Sequence, residues 1–152
     1  MDQTARRKLI ETAYEILERD DTLLVVPLKD FFNGNTDEGC IGVNLSEDQH
    51  IGFDGFRTVL ESIEAKPEVA RVYIELTEIP DLDEEDDDDI WPTACVAFVI
   101  TSAPLEAVTE WTKALHPREI CFGWNVNPGI KVPVPEEDLK KDGMSVVRVW
   151  LL

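Results

Sequence analysis

Eight of the nine residues from 81 to 89 (DLDEEDDDD) are carboxylic acids, and Ile90 and Trp91 follow them directly. Carboxylates at that density can hold a hard cation, share a proton as an acid–base pair, or draw in a positively charged partner. The cation reading fails on spacing. Asp81-x-Asp83-x-Glu85 copies the first ligands of a calcium loop, but Asp86 stands where such a loop turns on glycine and Pro92 where it closes with glutamate. Asn33, Asn35 and Asp37 repeat the pattern with Glu38 and Asn44 at the corresponding positions, and a polar turn accounts for them. No metal is expected. The proton-sharing reading fares no better. Glu75 and Glu78 fall on opposite faces of an extended strand, so spacing makes no dyad of them. Glu75 is placed instead to form a surface ion pair with Arg71 or Arg148, a contact worth little.

Nucleophiles are equally sparse. The chain has three cysteines, Cys40, Cys95 and Cys121, and two histidines, His50 and His116, with no CxxC pair and no HExxH motif. Cys95 sits in the most apolar run, where a thiol behaves as a small hydrophobe. Cys121 and His116 lie five residues apart around Pro117, and no third group is placed to orient them. Neither glycine-rich phosphate cradle, GxxxxGK[ST] or GxGxxG, occurs. The expectation is therefore no catalytic residue and no cofactor.

That leaves the partner reading. With 14 basic and 32 acidic residues the formal charge is −18. A surface of this kind repels nucleic acid and anionic membrane and attracts a basic protein. In this reading Asp81, Asp83, Glu84, Glu85, Asp86, Asp87, Asp88 and Asp89 steer the approach, and Trp91 and Trp124 fill a pocket on the partner. The protein expected is a non-catalytic cytoplasmic binding protein of the acidic inhibitor or immunity type. Two other classes compete. One is a small-ligand binder or enzyme with a cleft between residues 120–135 and the sheet, marked by Arg71, Tyr73 and Arg148. The other is an acidic secretion chaperone, which requires exposed apolar grooves. The cytoplasm is expected because the cysteines are odd in number and widely spaced, and because the first residues (MDQTARRKLI) place charges where a secretory leader is apolar. Asn44-Leu45-Ser46 fits a glycosylation sequon, which has no use in that compartment. No window approaches the roughly 20 apolar residues of a membrane-spanning helix.

These side chains need elements to hold them. Leu9, Ala13, Ile16 and Leu17, widened by Ile10 and Tyr14, predict a helix over 4–19. Residues 23–29 predict a strand that Pro27 confines to a sheet edge. A polar stretch at 33–39 leads to a short strand at 40–45. Phe53, Phe56, Val59, Leu60 and Ile63 predict a helix over 53–66 that stops at Pro67. Val72, Ile74 and Leu76 alternate with Arg71, Tyr73 and Glu75 in a half-buried strand, 70–79. The acids at 81–91 then form a mobile hairpin loop. The run 94–101 is apolar on both faces. Ser102 and Pro104 open a helix carrying Leu105, Val108, Thr112 and Leu115 on its core side, and Pro117 follows its end. Residues 120–135, rich in Gly and Pro, read as irregular. A short helical turn at 136–141 and a final strand at 144–152 complete the chain. From residue 40 the order is strand, helix, strand, strand, helix, strand, the split βαβ of a ferredoxin-like antiparallel sheet. The expectation is one α+β domain over 1–152, with the N-terminal helix and the 23–29 edge strand as additions. The N-terminal helix is the expected cover for the sheet face left open.

Overall fold

Asp2 starts the first helix, α1 (Gln3–Leu17), by accepting from the amides of Thr4 and Ala5 at 3.0 and 3.1 Å. Those bonds satisfy two of the amides a helix start leaves unpaired. α1 buries Leu9, Ile10, Ala13 and Ile16, the stripe its spacing predicts, and also Arg6, which spacing does not predict. Leu17, expected on that stripe, is 53% exposed. The computed structural model describes residues 1–135, 137 and 143–152.

The strand expected over 23–29 is short. β1 (Val25–Pro27) gives way at once to a five-residue helix, α2 (Leu28–Phe32), which buries Leu28, Phe31 and Phe32. β1 lies at a sheet edge, as Pro27 requires. The strand expected at 40–45 does not form. Gly42 takes a left-handed φ of +67°, and a Cβ there would lie 2.7 Å from Cζ of Phe56. The backbone is pressed onto an aromatic ring instead of extending along a neighbour. Cys40 and Ile41 are still buried, and the Cys40 carbonyl accepts from the amide of Ala94 at 2.8 Å.

The remaining elements follow their patterns closely. α3 (Phe53–Glu64) buries Phe53, Phe56, Leu60 and Ile63. β2 (Val69–Thr77) runs antiparallel to β3 (Thr93–Thr101), all nine residues of which are buried. α4 (Leu105–Trp111) is shorter than expected. Thr112, fully buried, turns its hydroxyl back onto the Val108 carbonyl at 2.8 Å, and the chain tightens into a 3₁₀ turn at Lys113–Leu115. Part of the segment expected to be irregular is a strand, β4 (Glu119–Phe122), paired with β5 (Ser145–Trp150). The helical turn expected at 136–141 lies outside the described residues, Glu137 aside.

The sheet order is β1-β2-β3-β5-β4, antiparallel throughout. A ferredoxin-like sheet places its first strand between the two that correspond to β3 and β5. Here β3 and β5 pair directly, Ala97 opposite Val149, so that arrangement is not formed. The α+β class stands.

The two faces are covered differently. Val72, Ile74, Ala97, Val99, Val147 and Val149 face the helices in one core with Leu9, Phe31, Phe56 and Leu60. Tyr73, Val96, Phe98 and Ile100 face the other way, packed by Trp124, Val132 and Val134. The cover of the second face is thus the segment after β4. The N-terminal helix, expected there, packs with the others on the first face, because its apolar stripe is continuous with theirs.

Candidate functional site

Hydrogen bonds tie the acid run within itself and to α1. Asp81 accepts from the amide of Asp83 through its side chain at 2.9 Å, a short 3₁₀ turn spans Glu85–Asp87, and the Ile90 amide donates to the Asp87 carbonyl at 2.9 Å. Arg6 fastens it from below. Arg6 is 3% exposed, donates from Nε to the Ile90 carbonyl at 2.8 Å and from Nη2 to the Asp87 carbonyl. Gln3 donates to the Asp88 carbonyl at 2.9 Å. At the other end Tyr14 donates its hydroxyl to the Pro80 carbonyl at 3.1 Å. Residues 6 and 14 are about 12 Å apart along a helix, so the loop is strapped along one side of α1. The Asp87 and Ile90 carbonyls turn inward to the guanidinium, while Asp81, Asp83, Glu84, Asp86, Asp88 and Asp89 stay exposed and Asp87 is half-buried. The Glu85 side chain lies outside the description.

Trp91 is not beside those acids on the surface. It is fully buried, the largest side chain so enclosed. Its amide donates to Oδ2 of Asp37 at 2.9 Å, and Oδ1 of Asp37 takes the Gly39 amide at 2.9 Å. Asn35, 4% exposed, donates to the Phe31 carbonyl at 3.2 Å and accepts from the Asp37 amide at 2.9 Å. The polar residues at 33–39 thus form a turn that seats Trp91, and the surface anchor expected of Trp91 is corrected to a core role. Trp124 is half-buried on the opposite sheet face, its ring 4.7 Å from that of Phe98. The two tryptophans and the acids do not converge.

Other candidates are structural. His50 accepts from the Gly52 amide through Nδ1 at 2.9 Å and meets the Ile41 carbonyl with Nε2 at 2.9 Å, so Nε2 carries the proton. Burial pushes the Cys40 thiol up to about 12. Burial, then the neighbouring Glu75, push the Cys95 thiol up as well. Thiolates are the reactive form, so both are inert. Cys121 sits in β4 opposite Arg148, and no bond joins it to His116 among the described residues. Among the described residues no group of three or more His, Cys, Asp or Glu could hold a metal ion, and no helix is long and apolar enough to cross a membrane. Arg71 and Tyr73 share a shallow cavity of about 200 Å³ with Pro133 and Pro135, without Arg148. Arg148 instead lies 5.5 Å from the Trp150 ring.

A cleft between residues 120–135 and the sheet is present, but away from Arg71, Tyr73 and Arg148: it is a groove of about 720 Å³ at the end of β2. It exists because β1 is short. Pairing stops at Val25–Glu75, with one further bond from the Leu76 amide to the Leu24 carbonyl at 3.0 Å. The edge beyond is walled by the last turns of α1 and by residues 125–130. Tyr14, Leu17 and Val126 line it and are 39, 53 and 36% exposed. Glu75 and Glu78 add carboxylates, and none of the lining residues is basic. Three non-glycine residues with positive φ surround it: Asp21 (55°), Glu78 (48°) and Asn125 (53°). The wall is stitched to the chain before β1, since Lys131 donates to the Asp21 carbonyl at 2.6 Å and Leu23 to the Lys131 carbonyl at 2.8 Å.

A family model described as the Uncharacterized protein YfbO family matches residues 4–149. The chain belongs to that family. The match takes in α1, the acid run, the groove and nearly all of β5. No curated protein and no solved structure matches. The acid run and the groove, which carries two more carboxylates, Glu75 and Glu78, meet at Tyr14: its hydroxyl holds the Pro80 carbonyl and it lines the groove.

Proposed function

We propose that this chain is a non-catalytic binding protein whose partner is a basic protein, acting as an acidic inhibitor of the immunity type in the cytoplasm. The observation that carries the reading is the strap along α1. Arg6 and Gln3 take the carbonyls of Asp87, Asp88 and Ile90, so the backbone of the acid loop is tied to α1 while its carboxylates stay exposed. Preorganised charge steers encounter without an ordering cost on binding. The groove beside Pro80 takes the anchoring part that Trp91 cannot take. An apolar partner side chain would cover Leu17 and Val126 while its basic neighbours meet the acids.

The test uses the immobilised full chain and a variant with 81–89 replaced by Gly and Ser, each exposed to an extract of the native host. The expected outcome is a basic protein retained at low salt, released at high salt and lost from the variant. Equal retention by both forms removes the steering role. A second reading, a small-ligand site, rests on the groove alone: about 720 Å³ falls within the usual range of ligand pockets.

A further inference from the structure

Glu75 is an unusual wall for an apolar groove. Its Oε2 accepts from the Cys95 thiol at 3.0 Å, because a bulge in the β2–β3 pairing skips Cys95 and turns its side chain to the Glu75 side of the sheet. That bond engages one carboxylate oxygen, the other makes no hydrogen bond among the described residues, and Glu75 lines the groove. Among the described residues Glu75 and Glu78 make no ion pair. Arg71 and Arg148 lie on the same sheet face and neither forms an ion pair with Glu75, while Arg148 acts on Cys95 from a distance. Glu75 is half-buried and in no ion pair, so an ammonium entering the groove would make a charge-assisted hydrogen bond with it. The apolar lining from Leu17, Leu24, Ile79 and Ile130 suits the aliphatic stem that carries such a head group.

We infer that the groove receives a lysine side chain of the basic partner, its stem along Leu17 and Ile79 and its ammonium on Glu75, with Glu78 at the mouth. This deepens the proposed reading and rests on it for the nature of the partner. Lysine fits better than arginine, because one free carboxylate oxygen offers a point charge and no bidentate acceptor.

The probe is a short acetylated peptide with one central lysine between leucines, compared with the same peptide carrying norleucine at that position. Both are titrated into the full wild-type chain, with amide shifts recorded for residues 14–17, 76–79 and 125–130. The lysine peptide should bind about tenfold more tightly than the norleucine peptide, the effect of one charge-assisted bond. The preference should vanish in Glu75→Gln. Equal affinities in the wild type, or shifts confined to other residues, would overturn the inference, and this comparison needs no variant to fold. The Gly/Ser variant of 81–89 separates the two claims. A lysine preference that persists there supports groove recognition even if the loop proves irrelevant. A wild type with no lysine preference leaves the loop reading standing on its own test.

Discussion

Trp91 and Trp124 look alike in the sequence, each in an aromatic, turn-rich setting, and they end on opposite faces of one sheet. Trp91 is sealed among helices, its amide tied to Asp37. Trp124 lies half-exposed on Phe98 under an extended segment. Helices bury apolar stripes while satisfying their own backbone, so the face they cover closes completely. An irregular segment must find its hydrogen bonds piecemeal, and where it leaves the sheet edge it leaves a groove. The helical face is closed; the loop-covered face and its edge stay open to solvent.

The strongest way to break this contrast is truncation of each tryptophan. Trp91→Ala should cost about 3–5 kcal/mol, the range for a large aromatic removed from a closed core. Trp124→Ala should cost about 1–3 kcal/mol, since part of its ring already meets water. Urea unfolding read by far-UV circular dichroism measures both. Equal losses would mean that the second face is as tightly built as the first. Trp91 also carries the only buried side-chain polar atom without a hydrogen-bond partner among the described residues, its Nε1. Trp91→Phe should therefore lose much less than Trp91→Ala, because it removes that orphan donor along with some volume.

Arg6→Met comes next. It keeps the aliphatic stem and removes the bonds to the Asp87 and Ile90 carbonyls. The expected loss is about 1.5–3 kcal/mol, as for hydrogen bonds to a charged group. Protease cleavage within 81–89 should rise with it. Unchanged stability and unchanged cleavage would show that the acids are not held by the helix.

The thiols sharpen the contrast between enclosed and open regions. In the native protein only half-buried Cys121 should react readily with a disulfide reagent, and all three cysteines should react after denaturation. Cys40 has a folded pKa raised from 9.0 to about 12, so the folded state holds its proton more tightly than the unfolded chain. Its contribution is complete below pH 9 and is lost as pH rises toward about 12. Cys40→Ala should flatten that alkaline decline in a urea midpoint measured against pH.

How much of this was legible follows from which signals are local. The stripe of α3 and the alternation of β2 depend on near neighbours in the chain, and both elements form within about two residues of their pattern. Pro27 marked an edge because a missing donor is a property of the residue itself. The failures are long-range. Nothing in CIGVNL shows that Phe56 will occupy the space beside Gly42. Arg6 sits 81 residues from the Asp87 carbonyl it binds, so no periodicity could connect them. The acid run was visible as composition, but its orientation depends on that distant contact. A cleft beside residues 120–135 is expected from the sequence, but with Arg71, Tyr73 and Arg148 as its markers; its place at the end of β2 was not visible, because it arises from a strand that stops early.

The smallest effect isolates what the contrast is about. Arg57 donates to Oε1 of Glu61 at 2.9 Å, nearly the distance at which Arg6 meets the Ile90 carbonyl. By geometry alone the two arginines are equals, and the Arg57 pair adds a full opposite charge. Their side-chain exposure separates them: Arg57 and Glu61 are 42 and 52% exposed. In water the pair gains little over its hydrated parts, whereas the Arg6 bonds replace water that cannot reach them. Glu61→Gln should therefore change stability by no more than about 0.5 kcal/mol and lose even that in high salt, while Arg6→Met keeps most of its effect there. If Glu61→Gln proved as costly as Arg6→Met, charge rather than enclosure would order this molecule, and the division between a sealed face and an open edge would have no energetic basis.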